Sequence, residues 1–405
     1  MNGTSLGGLR TRLAIPALGA ATIASYGGAY YAYGVLVGPI AAETGWSSTM
    51  LGAVFSWVLV ASGLIGVAGG RLLDRFGPGP LFLATGTVGA GLLAMASTLH
   101  DYLPFAAVYG AACGLIGGLG FYHVTQPAAA RSRPGDPSSA IVQLTIIGVF
   151  CSPIYLPATA WLVGVASWRG AIAVHAAVVA VVFAATAAIV HAPVTRRPAE
   201  APLEPSMEVL RSAIGNAAVR RWIAATLISS AAADVLLVYQ VPAMTAAGLP
   251  LAVAAAVGGA RGFAQLAGRL PLTFVMRRFG TRRAIIGAHL VAAVGALLLV
   301  ASGHLVAALA YSLLAGASLG SLSALQGIYT HELVDARHLG ILFGAQQALY
   351  GIGGAVGPVL AGTILDTTGS FPFLLVGLAG AFVVAAVILA TTGSSAGRMS
   401  DQMTR

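Results

Sequence analysis

Lysine is missing from this 405-residue chain, and only 12 residues are acidic. All 21 basic residues are arginine, and charged side chains of both signs make up 8% of the total. A soluble domain carries about 25%, so there is too little charge for an ordinary aqueous surface. The net charge of +9 does not describe a nucleic-acid-binding face, because the arginines fall at the ends of apolar segments. Cysteine occurs only twice, at Cys113 and Cys151, both inside apolar runs. That excludes a disulfide framework and leaves two inert packing residues. A phosphate-binding loop, a Cys/His metal spacing and a serine-nucleophile motif in a believable context are all absent. No cofactor, metal, nucleic-acid partner or enzymatic activity is therefore expected.

What the chain has is hydrophobicity, at 58% of residues. About 20 apolar residues in a helix cross the hydrocarbon of a bilayer, and backbone groups in lipid must bond internally. Twelve such runs are found, at 14–39, 49–72, 80–99, 103–127, 139–165, 169–191, 221–246, 250–275, 284–302, 305–330, 338–364 and 371–391. The first follows Arg10 and Arg12 and is too long for a signal-peptide core, so it is read as a retained span. If the N-terminus is cytoplasmic, every arginine but Arg169 and the mid-span Arg261 falls on the cytoplasmic side. Both termini are then cytoplasmic. Heavy use of Ala, Gly and Arg suggests a bacterial chain, which places it in the inner (plasma) membrane.

The longest polar connection, 192–220, divides six spans from six. The expected organisation is an N-terminal six-helix bundle (1–191), a cytoplasmic linker (192–220), a C-terminal six-helix bundle (221–392) and a cytoplasmic tail (393–405). Within the linker, "SMEVLRSAIGN" has the composition of a short surface helix. The halves also repeat: "GRLLDRFG" (70–77) follows the second span and "GRLPLTFVMRRFG" (268–280) follows the eighth. Two similar halves suggest a monomeric transporter with its site near the midplane between them.

"GRLLDRFG" resembles the loop signature of the major facilitator superfamily, with Gly70, Leu72, Asp74, Arg75 and Gly77 in place and the trailing basic pair absent. Twelve spans and a central linker match as well. More narrowly, "YGVLVGPIAAETGWSSTMLGAVFS" (33–56) and "GLIGGLGFYH" (114–123) resemble monocarboxylate and oxalate/formate transporters. The resemblance implies an all-α membrane fold of two pseudo-symmetric bundles rocking about a central cavity. It also implies gating roles for Asp74 and Arg75, whose plainer alternative is a charge cluster that sets topology.

Ionisable groups at mid-span are costly and are functional candidates by default. There are two clear ones, Asp234 in the seventh span and Arg261 in the eighth. Thr226, Ser230 and Asp234 stack on one helix face, as do Arg261 and Gln265. The two charges lie at similar depth, so a direct or water-bridged pair is expected. Arg holds a carboxylate through a planar fork of donors. Asp can exchange a proton as its surroundings change. The pair can therefore bind an anion and couple its movement to a proton or counter-anion, or it can be a static bridge between helices.

Further candidates for substrate contact are Tyr26 and Tyr30 on the first span, with Tyr33 completing an i, i+4, i+7 pattern, Tyr122 on the fourth and Gln346 and Tyr350 on the eleventh. Gln143 and Tyr155 lie on the fifth. His123 is a second proton-coupling candidate. The leading expectation is a secondary transporter of a small organic monocarboxylate. The competing one is a proton-driven exporter of drugs or amphipathic metabolites, which many tyrosines and few charges would suit.

Overall fold

The structure is a computed structural model that describes residues 3–190, 215–333 and 339–391. Most of the linker, with most of its proposed surface helix, and all of the C-terminal tail lie outside the described residues. Every regular element among the described residues is helical.

The first span is a helix in two parts, α1 (Gly3–Tyr26) and α2 (Ala32–Thr44), joined by one π turn (Gly27–Tyr31). The second and third are α3 (Ser48–Phe76) and α4 (Pro78–Ala96). The fourth breaks at Phe121 into α5 (Tyr102–Gly120) and α6 (Tyr122–Ser132). Next come α7 (Pro137–Gly148) and α8 (Cys151–Ile189). The second half contains α9 (Ala217–Ala246), α10 (Leu251–Arg269), α11 (Leu272–Phe279), α12 (Thr281–Val300), α13 (Leu305–Leu333), α14 (Leu339–Thr368) and α15 (Phe371–Ala390).

Among the described residues, nine helical stretches are long and apolar enough to cross a membrane. They reconcile with twelve expected spans through local geometry. The stretch Pro137–Ile189 has 53 residues. At 1.5 Å per residue that is roughly 80 Å, far beyond one bilayer. It turns back at Ser167, whose φ of 66° and ψ of 173° are not helical, so it holds the fifth and sixth spans. Beside that turn, the carboxylate of Glu43 accepts from the Trp168 indole N–H and pairs with Arg169, fastening the fifth-to-sixth corner to the end of the first span. The first span is formed by α1 and α2 together, and α14 supplies the eleventh.

Large apolar side chains such as Leu64, Val67, Trp161, Val165 and Val306 are exposed. In water such a surface would aggregate. Around a bundle of spanning helices it is the surface that lipid tails wet. Contacts between the halves gather away from the arginine-rich ends. The Ser152 hydroxyl of α8 donates to the Gly259 carbonyl of α10 at 3.3 Å, and the Tyr239 hydroxyl of α9 donates to the Ser48 carbonyl of α3 at 3.2 Å.

Candidate functional site

Between the two halves lies a cavity of about 580 Å³. Its walls differ in chemistry. The N-terminal half contributes mainly rings, Tyr26, Tyr30, Tyr31, Phe121 and His123, with Leu59 and Ser62 beside them. The C-terminal half contributes polar and charged groups: Ser229, Ser230, Asp234, Arg261, Gln265, Ser323 and Gln326. The lining runs toward the arginine-rich ends, along α10 from Arg261 in the direction of Arg269 and along α13 as far as Gly327.

The aromatic wall is built by two interruptions of regular helix. "GGAYY" forms the π turn, and a π turn inserts one residue into a helix. Gly27 allows it here, because a Cβ at that position would collide with the ring of Tyr155. The inserted residue rotates everything after it. Tyr26, Tyr30 and Tyr31 all reach the cavity, whereas Tyr33 does not follow the simple helical spacing. It is fully buried, donates to the Leu51 carbonyl at 2.6 Å and stacks on Phe55. The second interruption is the extended residue Phe121. Its ring stacks on Tyr26 with centroids 3.9 Å apart and planes 9° apart. Tyr30 meets Phe121 edge-on at 6.2 Å. Offset and edge-on ring pairs of this kind hold their geometry without polar bonds.

The charged wall departs from the expected pair. Asp234 does not form a direct ion pair with Arg261. Its carboxylate accepts a hydrogen bond from the Tyr30 hydroxyl, which reaches across from the other half. Arg261 is 3% exposed, and its Nε and Nη2 have no hydrogen-bond partner among the described residues. A buried guanidinium left this way carries a desolvation penalty of several kcal/mol. α13 packs closely over its stem at Gly316, where a Cβ would approach the Arg261 Cγ.

The other expected residues divide clearly. Gln265 and His123 line the cavity, and the His123 Nε2 lies 2.8 Å from the Gly118 carbonyl. Tyr122 does not line it: its ring packs on Tyr26 at 5.2 Å and its hydroxyl donates to the Thr145 carbonyl at 3.5 Å. It turns away because Phe121 takes the inward position at the break. In the polar stripe of α9, Ser230 and Asp234 face the cavity while Thr226 is buried outside it. Gln143 is exposed and donates to the Ser139 hydroxyl, and Tyr155 packs on His175. The side chains of Gln346 and Tyr350 lie outside those described. Asp74 pairs with Arg131 of its own half. Arg75 is exposed, its guanidinium 5.2 Å from the centroid of the Phe76 ring.

Sequence reasoning missed Tyr31, Phe121, Ser323 and Gln326. The double tyrosine Tyr30–Tyr31 was visible, but a helix of regular pitch shows only one of two neighbours to a given side.

Comparisons with known proteins bear on this geometry. A family model described as Major Facilitator Superfamily matches residues 18–358, with a second, overlapping match over 223–399. A solved variant of the nucleoside transporter NupG is 14% identical with a TM-score of 0.80, covering 95% of this chain and 100% of that one. A bacterial homolog of the human lysosomal transporter Spinster, solved in an inward-facing and unoccupied conformation, is 14% identical with a TM-score of 0.70, covering 97% of each chain. At this identity the likeness is one of fold. No curated protein matches the chain in sequence.

Proposed function

Since the chain belongs to the major facilitator superfamily, whose model spans most of its length, we propose that it moves a small organic monocarboxylate by alternating access. The observation that carries this reading is Arg261, a buried cation in the wall of the cavity whose Nε and Nη2 are unpartnered among the described residues. A carboxylate there would receive charge-assisted bonds, which are about twice as strong as neutral ones. One mid-membrane arginine matches one negative charge.

Asp234 is the coupling group in this reading. Its bond to Tyr30 leaves it free of Arg261. A proton arriving on Asp234 then need not break an ion pair, and the anion on Arg261 need not displace a bound carboxylate. Proton symport and anion exchange both follow from this arrangement. The proposed setting is the inner membrane of a bacterium, with the arginine-rich side and both termini cytoplasmic and the chain working as a monomer.

The aromatic wall favours a second reading, export of amphipathic drugs or metabolites, because ring faces accept many planar or apolar shapes. The named activity of one structural relative adds a third ligand, a nucleoside, which lacks a carboxylate for Arg261. Uptake of labelled small carboxylates into proteoliposomes separates these. Saturable uptake that disappears in Arg261→Ala supports the proposal. Normal carboxylate uptake by that variant, or transport of nucleosides or cationic drugs alone, rejects it.

A further inference from the structure

On the arginine-poor side, opposite the mouth of the cavity, one carboxylate joins the two halves. Asp366 near the end of α14 accepts from the Ser48 N–H and the Thr49 N–H, each at 2.8 Å. Those are the first two residues of α3. The opening N–H groups of a helix have no partner within it. Here the third, that of Met50, is bonded by the N-cap residue Ser47 at 3.2 Å. The N-cap function is therefore shared: Ser47 supplies one acceptor from within the N-terminal half, and Asp366 supplies two from the other half.

The surroundings are shaped for this contact. A Cβ on Gly362 would collide with the Ser48 carbonyl, and one on Gly52 with the Pro358 carbonyl, so the two backbones meet only because both residues are glycine. The Tyr239 hydroxyl donates into the same junction, to the carbonyls of Ser48 and Pro358. The carboxylate also gains from the positive end of the α3 dipole. Asp366 stands two residues past the span read at 338–364. Burial acts to raise its pKa. Bonds from the Thr49 and Ser47 hydroxyls and the two backbone N–H groups outweigh burial and lower it to about 2.

We propose that Asp366 is the releasable latch of the gate on the arginine-poor side, holding it shut by capping α3 across the interface between the halves. The inference rests on alternating access and not on the identity of the substrate. Asp366, Ser48 and Thr49 lie at the exposed rim. When the halves part, water can take over the freed N–H groups and the carboxylate. The latch therefore biases the gate without locking it, as a transport cycle requires. The opposite end of α3 carries Asp74, whose partner Arg131 lies in the same half, so among the described residues no corresponding clasp is closed there.

The test uses spin labels in place of Asp101 and His304, exposed residues at the arginine-poor ends of different halves. Cys113 and Cys151 are first replaced by alanine. Electron–electron resonance distances then report the gate. Asp366→Ala should raise the ratio of open to closed populations about tenfold, the low end of the scale for a contact to a charged group, as suits bonds at a water-exposed rim. Asp366→Asn, isosteric and still able to accept one bond, should give a smaller rise. Ser48→Pro removes one donor at a helix position that favours proline, and should shift the ratio about threefold. Ser48→Ala keeps the N–H and should match the parent. Combined with Asp366→Ala, Ser48→Pro should add nothing further, the non-additivity expected of two halves of one contact. Unchanged distances in both Asp366→Ala and Asp366→Asn overturn the proposal. So does full additivity of Ser48→Pro with Asp366→Ala.

Discussion

The two walls of the cavity differ in chemistry. The N-terminal wall is aromatic and holds itself in place by ring stacking, as between Tyr26 and Phe121. The C-terminal wall carries both mid-membrane charges, Asp234 and Arg261, and one of them leans on the opposite wall through Tyr30. Under the proposed function, a site split this way separates recognition of charge from recognition of shape. Rocking one half against the other then changes how the two meet without rebuilding either.

The largest effect should come from the charged wall. Arg261→Ala is expected to cut carboxylate uptake at least 100-fold, since loss of a buried charge partner costs about 3 kcal/mol. Initial rates in proteoliposomes give the answer, and Arg261→Lys should recover only part because a lysine lacks the planar fork. Next is Asp234→Asn. It should preserve exchange of internal for external substrate while losing about tenfold or more of the uptake driven by an imposed pH gradient. Loss of both activities together would return Asp234 to the static role. Tyr30→Phe removes the bond by which Asp234 leans on the aromatic wall. It should lower pH-driven uptake about tenfold, the value of a bond to a charged acceptor, and leave thermal stability nearly unchanged. The smallest effect belongs to the aromatic wall. Tyr26→Leu, which removes the stack on Phe121, should raise KM about threefold to tenfold with little change in maximal rate. If Tyr26→Leu instead proves as damaging as Arg261→Ala, the division of labour is wrong and shape dominates recognition.

The charged wall was legible in the sequence because a charge in lipid stands out against any apolar background. Asp234, Arg261 and Gln265 needed only depth and helical spacing. The aromatic wall was half legible. Tyr26 and Tyr30 fit a regular helix, but Tyr31 and Phe121 reach the cavity through a π turn and an extended residue, which follow from contacts such as Gly27 against Tyr155. Tyr122 was chosen over Phe121 because polarity marks a residue in sequence, whereas the direction it faces is set by the break. Asp366 carried no signal as an acid near a helix end. Its meaning comes from the N-terminus of α3, more than 300 positions away in the chain.

The π turn has a consequence for how the chain tolerates editing. An inserted residue that a helix absorbs as one wide turn can be deleted again with the helix intact. Removing Ala29 should close Gly27–Tyr31 into regular α-helix. The shortened span would still cross the bilayer, yet Tyr30 and Tyr31 could no longer both face inward. The protein would keep its fold and lose either the ring that holds Asp234 or the ring beside it. A single deletion is thus a sharper tool here than any substitution, because it changes which side chain occupies a place without changing the places themselves.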